Sequence, residues 1–289
     1  MPERRVAGRG VVGRGENPVT RLLGSDPYGA FVRTGAGAAI VRSLGLPKPS
    51  GLRRFVSGQD LLPGPAVVLG FADASHVGPV TSWLHGAGAR VLGDLAAVGE
   101  ERLGALVVDA ASLRTVDELG ALREWVAPAF KRMTGSGRVL VLGAVPAQVA
   151  DLEGRAVQRS LEGLVRTLGK EARGGTTVNL LRVADGAGDA LRSAVEFFSS
   201  ARSAFVSGQP LTITPAPPQQ QPTRPREARV AVVTGAAQGI GAAVAEVLAR
   251  SGTHVVCVDV TASGDRLAKV ANGVRGSTLH LDVTAPDAP

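Results

Sequence analysis

Cysteine is almost missing from this chain: Cys257 is the only one among 289 residues. No internal disulfide framework and no thiolate metal cluster can form from a single thiol. That scarcity fits a reducing compartment, so the expected location is cytoplasmic. Cys257 itself sits in an apolar run and reads as a core residue. Aromatic residues make up only 3% of the chain, which leaves Val, Leu and Ala to fill the interior. Tyrosine occurs once, as Tyr28, and tryptophan twice, as Trp83 and Trp125. No stretch approaches the roughly 18 apolar residues of a membrane helix, and Met1–Gly15 has no apolar segment of the secretory kind. His76, His85, His254 and His280 show no pairing suited to a metal. Neither a membrane nor a metal is expected.

What is present begins with charge. The formal net charge is +7, but residues 1–60 hold ten Lys/Arg against four Asp/Glu, and the rest is nearly balanced. The excess therefore reads as a solvated basic arm. Nucleic-acid binding calls for a basic face with stacking aromatics or a reading motif, and the sequence presents neither.

The segment 214–228, TPAPPQQQPTRPREA, is the clearest boundary. Proline removes donors and glutamine brings no apolar surface, so it reads as a semi-extended linker. Residues 1–60 form the arm with one helix, from about Tyr28 to Leu44, stopped by Leu46-Pro47-Lys48-Pro49. Residues 61–213 alternate strand and helix. Strands are expected near 66–70, 90–92, 105–109, 139–142, 177–183 and 211–213, with helices near 76–86, 116–131, 152–171 and 187–200. This alternation implies a parallel, doubly wound α/β domain with right-handed crossovers. Residues 229–289 repeat the pattern with strands near 229–233, 255–258 and 278–281. The fold class is thus α/β, a doubly wound domain followed by the first half of a Rossmann domain.

One motif carries chemistry. Thr234-Gly235-Ala236-Ala237-Gln238-Gly239-Ile240-Gly241 stands between the strand at 229–233 and a helix over 239–250, a variant of the glycine-rich dinucleotide fingerprint. Gly235 lets the chain turn off the strand. Gly239 leaves room for a pyrophosphate, and Gly241 lets the helix start pack closely. Free N–H groups at the helix start then face the phosphates. Asp259 ends the next strand, where a carboxylate accepts hydrogen bonds from ribose hydroxyls and repels a 2′-phosphate. NAD(H) is therefore expected rather than NADP(H). Asp282 and Val283 follow the third strand, placed to meet the adenine. A glycine-rich turn with no ligand is the competing reading. The order of strand, motif, helix, strand and acid argues against it.

These residues resemble the short-chain dehydrogenase/reductase family, and within it the FabG-type 3-oxoacyl-(acyl carrier protein) reductases. Ser43-Leu44-Gly45-Leu46-Pro47-Lys48-Pro49 and Leu52-Arg53-Arg54-Phe55 are similar to the entry of the high-molecular-weight, two-domain members. The resemblance implies reduction of a 3-oxoacyl thioester, on acyl carrier protein or coenzyme A, by hydride from NADH, in a homo-oligomer. It also implies a Ser, a Tyr-x-x-x-Lys pair and usually an Asn as the catalytic set. The only tyrosine, Tyr28, is followed four residues on by Val32, so no catalytic residue is assigned. Residues 61–213 resemble a decayed copy of the same fold. Ala144 falls at the serine place, and Gly154 and Gln158 at the tyrosine and lysine places. Its first turn, 70–78, lacks the three-glycine spacing and carries Asp73 where a phosphate would sit. The expectation is a chain that ends before its catalytic residues and is inactive alone.

Overall fold

The computed structural model describes residues 27–32, 34–46, 51–215, 229–286 and 288. Most of the basic arm and of the linker lies outside them. The chain divides into two compact units, Met1–Ala216 and Pro217–Pro289.

Unit 1 opens with α1 (Pro27–Val32) and α2 (Gly35–Ser43), where the sequence suggested one helix. Thr34 separates them. Its backbone is extended and its side-chain oxygen accepts from the Gly37 N–H at 3.0 Å, which caps α2. There follow β1 (Ala66–Gly70), α3 (Val77–Gly86), β2 (Val91–Leu92), β3 (Leu103–Asp109), α4 (Glu118–Lys131), β4 (Met133–Ala144), α5 (Leu152–Glu171), β5 (Thr177–Val183), α6 (Gly188–Ser199) and β6 (Pro210–Ile213). The sheet order is β2-β1-β3-β4-β5-β6, and every pairing is parallel. Strand order reverses between β1 and β3, the switch point of doubly wound sheets.

All seven residues of β3 are buried, because both faces of the sheet are covered. Val80 and Leu84 of α3 and Leu191, Val195 and Phe198 of α6 pack on one face. Leu122, Val126, Val157, Leu161 and Val165 of α4 and α5 pack on the other. The placement of α6 departs from the expected handedness. The strands from β3 to β6 advance in one direction, yet α6 lies opposite α4 and α5. The β5–α6–β6 crossover therefore has the opposite hand to the others. The handedness rule rests on a direct return to the sheet, and here residues 200–209 lengthen the path. Ser203 Oγ donates to Phe198 O and Ser200 O, and Asn179 Nδ2 donates to Val206 O, which hold that segment.

Unit 2 holds β7 (Val230–Thr234), α7 (Gly239–Arg250), β8 (His254–Asp259), α8 (Gly264–Gly273) and β9 (Ser277–His280), with parallel order β7-β8-β9. Two successive crossovers in one direction put both helices on one face. Val233, Val255 and Cys257 pack there with Ala245, Leu267 and Ala271. Among the described residues no helix covers the opposite face of β7, and Val230 and Val232 of its apolar run are exposed. Of the apolar face that the spacing of α7 suggests, Ile240, Val244, Val247 and Leu248, the first three are exposed and Leu248 packs on this core. Ala245 is the buried residue of α7, and Leu248 and Ala249 pack against the same core. Small side chains let the helix lie close to the strands. No described helix is long and apolar enough to cross a membrane.

Candidate functional site

The loop between β7 and α7 stands at the C-terminal end of the unit 2 sheet. Gly235 has φ +63° and Gly239 φ +59°, left-handed values that suit glycine. A Cβ added at either would meet no atom within 4 Å, so both border open space. Gly241 differs. A Cβ there would lie 2.2 Å from the Gly235 carbonyl oxygen and 3.1 Å from Ala236 Cα. Its glycine therefore permits contact with the loop's own backbone, not with the sheet as the spacing suggested. Gln238 stands before the helix in extended conformation and its side chain makes no cap. The first N–H groups of a helix have no intrahelical partner, and the Gln238 side chain caps none of those of α7. The Ile240 side chain is 86% exposed.

Asp259 is tied to this loop. Its Oδ2 accepts from Ala237 N–H at 2.9 Å, and Oδ1 accepts from Val260 N–H at 2.9 Å. The two backbone donors, Ala237 foremost, hold the carboxyl below its ordinary pKa, with smaller help from Ser263 and the charge of Arg266. The Ala236 N–H donates to the Val258 carbonyl at 3.0 Å, a second tie between loop and β8. Asp282 lies beyond β9, whose register sets His280 opposite Asp259. Its Oδ1 accepts from the Thr284 hydroxyl at 2.7 Å and the Thr284 N–H at 2.9 Å, and both lower its pKa. Val283 is exposed. The structure thus joins Gly235, Gln238, Gly239, Ile240, Gly241 and Asp259 in one loop cluster. Asp282 and Val283 stand at the same end of the sheet without a bond to that loop. Among the described residues no group of three or more His, Cys, Asp or Glu could hold a metal.

The turn after the first strand of unit 1 is built differently, although a cavity lined by Asp73–His76, Ala111, Arg114, Ala144 and Gly186 opens at the same end of its sheet. In the β1–α3 turn, a Cβ on Gly70 would meet Val77 Cγ2 at 2.4 Å and Ala74 Cβ at 2.6 Å. Asp73 occupies the left-handed region, φ +67°. The fully buried carboxylate of Asp109, at the end of β3, accepts from the His76 N–H at 2.9 Å and the Ala111 N–H at 3.1 Å. The Asp109 side chain thus takes up N–H groups at the start of α3 and of the loop after β3. Sequence reading singled out Asp73 and missed Asp109, although a carboxylate ending an apolar strand was a visible signal.

Gly154 and Gln158 also have structural tasks. A Cβ on Gly154 would stand 2.7 Å from Asp151 Oδ2 and 2.9 Å from Arg114 Cδ, so a larger residue here would have to displace the side chain that caps α5. Gln158 is fully buried. Its Nε2 donates to the carbonyls of Ala110 at 2.8 Å and Leu113 at 2.9 Å, and its Oε1 accepts from the Ala144 N–H at 2.8 Å. One amide thus joins α5, the end of β4 and the loop after β3.

Taken together, unit 2 is the strand–glycine loop–helix half of a Rossmann-type α/β fold, with an acid braced under the loop. Residues 229–288 match the family model for short chain dehydrogenase. That segment is similar to an uncharacterized oxidoreductase of Mycobacterium tuberculosis, 52% identical over 56 residues, 19% of this chain and 22% of that protein. A 3-oxoacyl-(acyl-carrier-protein) reductase FabG of Pseudomonas aeruginosa is 43% identical over 65 residues, 22% of this chain and 26% of that protein. The chain spans about a quarter or less of the length of these curated relatives. Among solved structures, a short-chain dehydrogenase/reductase from Serratia marcescens is 17% identical, covering 54% of this chain and 97% of its own, at TM-score 0.41.

Proposed function

We propose that residues 229–289 hold the adenosine and pyrophosphate of NAD(H), and that the chain is part of an NADH-dependent short-chain reductase acting on 3-oxoacyl thioesters of acyl carrier protein or coenzyme A. The observation that carries this reading is the open, left-handed Gly239 beside the uncapped start of α7, with Asp259 fixed beneath. The space a Cβ would fill at Gly239 fits a pyrophosphate, and helix-start N–H groups suit its charge. The Asp259 oxygens accept from two backbone N–H groups, with Ser263 close by, and a carboxylate has lone pairs beyond these for a ribose hydroxyl. A 2′-phosphate would meet that carboxylate, which favours NAD(H) over NADP(H). When bound, the nicotinamide supplies or takes the hydride. Asp282 and Val283 are assigned to the adenine side.

The thioester substrate rests on the likeness of 229–288 to FabG reductases and on the entry segments 43–49 and 52–55. We read residues 61–213 as a decayed copy of the reductase fold with a supporting role, because Gly154 and Gln158 have structural tasks at the places that resemble those of the tyrosine and lysine. Those tasks favour a second reading, a non-catalytic scaffold that binds a dinucleotide or pairs subunits. Both readings predict no hydride transfer by the 289-residue chain itself, since its single tyrosine lies outside any Tyr-x-x-x-Lys pair. Titration of NADH, followed by its fluorescence, tests the shared cofactor site. Binding that Asp259→Ala abolishes supports it, and absence of binding to the unaltered chain overturns it. Reduction of an acetoacetyl thioester by the purified chain would overturn the assignment of no catalytic residue.

A further inference from the structure

At the C-terminal end of the unit 1 sheet, a cavity of about 540 Å³ opens between the loops that follow β1, β3, β4 and β5. That volume falls within the range of small-molecule sites, about 300–1,000 Å³. Its polar wall is made of Asp73, Ser75, His76, Ser112, Arg114 and Asp185. Buried groups tie down the loops that carry this wall. The Asp109 carboxylate accepts from the His76 and Ala111 N–H groups. The Gln158 amide holds the carbonyls of Ala110 and Leu113 and the Ala144 N–H. Gln148 Oε1 accepts from the Asp185 N–H at 3.1 Å. The floor is fixed before any ligand arrives.

The side chains of the wall, by contrast, are left free. Among the described residues, those of Asp73, Ser75, His76 and Asp185 make no hydrogen bond and no ion pair. Ser112 Oγ is buried without a partner, a costly state unless something outside the chain supplies one. Arg114 donates from Nη1 to the carbonyls of Ala111 and Leu113, and its Nε and Nη2 have no acceptor. Glu118 accepts from the backbone N–H of Arg114, not from its guanidinium. Asp73 is held at φ +67°, a strained backbone of the kind that clusters at ligand sites.

Charges of both signs therefore face one cavity without pairing with each other. A simple anion would be repelled by Asp73 and Asp185, and a simple cation by Arg114. No Phe, Tyr or Trp lines the cavity to stack a nucleobase. An acyl chain would strand the polar wall. A small molecule that carries both charges answers all of it.

We propose that this cavity binds a free α-amino acid as its zwitterion, the carboxylate on Arg114 and Ser112 and the ammonium among the carboxylates of Asp73 and Asp185. The site belongs to unit 1 and does not rest on the dinucleotide reading of unit 2.

The test is a denaturant melt of the full 289-residue chain, followed by the emission of Trp83 and Trp125, with L-serine, L-glutamine, L-lysine or L-glutamate added. At least one of these raises the midpoint. Its N-acetyl and amide derivatives, each lacking one charge, bind about tenfold more weakly or worse. Arg114→Gln and Asp185→Asn each lower the affinity by about tenfold, and circular dichroism verifies that both variants fold. Asp185 is exposed and its carboxylate holds no bond, so its variant keeps the test sound if Arg114→Gln disturbs the loop. No shift with any of the four, equal shifts with the singly charged derivatives, or undiminished binding by Asp185→Asn overturns the proposal. Displacement of the amino acid by NAD⁺ makes the cavity a dinucleotide site and likewise overturns it.

Discussion

The three glycines of the β7–α7 loop share a motif but not a reason. Gly239→Ala sets a Cβ in the left-handed region, which costs about 1–2 kcal/mol, and places a methyl group in the proposed pyrophosphate space. We expect a modest fall in unit 2 stability and a larger loss of NADH affinity, read by denaturant melts and fluorescence titration. Gly241→Ala forces atoms apart at 2.2 Å, so destabilisation of about 1–3 kcal/mol is expected instead, with affinity lost through a displaced loop. The spacing of this motif was legible because few residues other than glycine satisfy it. Which glycine faces a ligand and which faces the loop was not, since a contact across a turn leaves no mark in spacing. Asp259 adds a pH dependence. Its pKa is lowered on folding, so its brace on Ala237 contributes stability above the ordinary carboxylate range, about pH 4. That contribution disappears as the pH falls through the lowered value. Asp259→Asn should flatten this acid limb in a pH series of unit 2 melts. An unchanged limb would show that the brace carries no such weight.

Between elements, Gln158 ties α5, β4 and the loop after β3 with three hydrogen bonds of 2.8–2.9 Å. Gln158→Leu leaves the Ala144 N–H and two carbonyls without this partner. A buried group so stranded costs about 1–3 kcal/mol, and unit 1 should melt earlier by at least that amount. Gln158→Lys tests the resemblance of this position to a catalytic lysine. It buries a charge, offers no acceptor to Ala144 and should destabilise unit 1 without bringing reductase activity. The bounds of α5, Leu152–Glu171, could be read in advance because Asp151 caps its start through Gly154 N–H and an apolar stripe runs its length. The face chosen by α6, and the bare side of β7, could not. Both depend on which layers surround the sheet, a property held by no single segment. The break at Thr34 was missed for a smaller reason: Ala- and Gly-rich flanks hide a capping threonine inside one apparent helix.

At the scale of the molecule, the cores are separate. Two clusters cover the faces of the unit 1 sheet, while unit 2 has its own, built on Val233, Val255, Cys257 and Leu267. A three-stranded sheet with helices on one face shields less apolar surface than a six-stranded one covered on both, so unit 2 should unfold at lower denaturant. The probes to separate them are built into the sequence. Trp83 and Trp125 both belong to unit 1, where they pack against its two cores, so tryptophan emission follows that unit alone. Circular dichroism follows both. We expect a first dichroism phase without an emission change, then a second in which the two signals move together. Oxidised cofactor discriminates further, because a ligand that binds one folded unit stabilises only that unit, by about 2.7 kcal/mol at a hundredfold excess over its dissociation constant. NAD⁺ should therefore move the first phase and leave the emission transition where it was. A shift confined to tryptophan emission would place the dinucleotide in unit 1, against the filled turn around Gly70 and the Asp109 carboxylate.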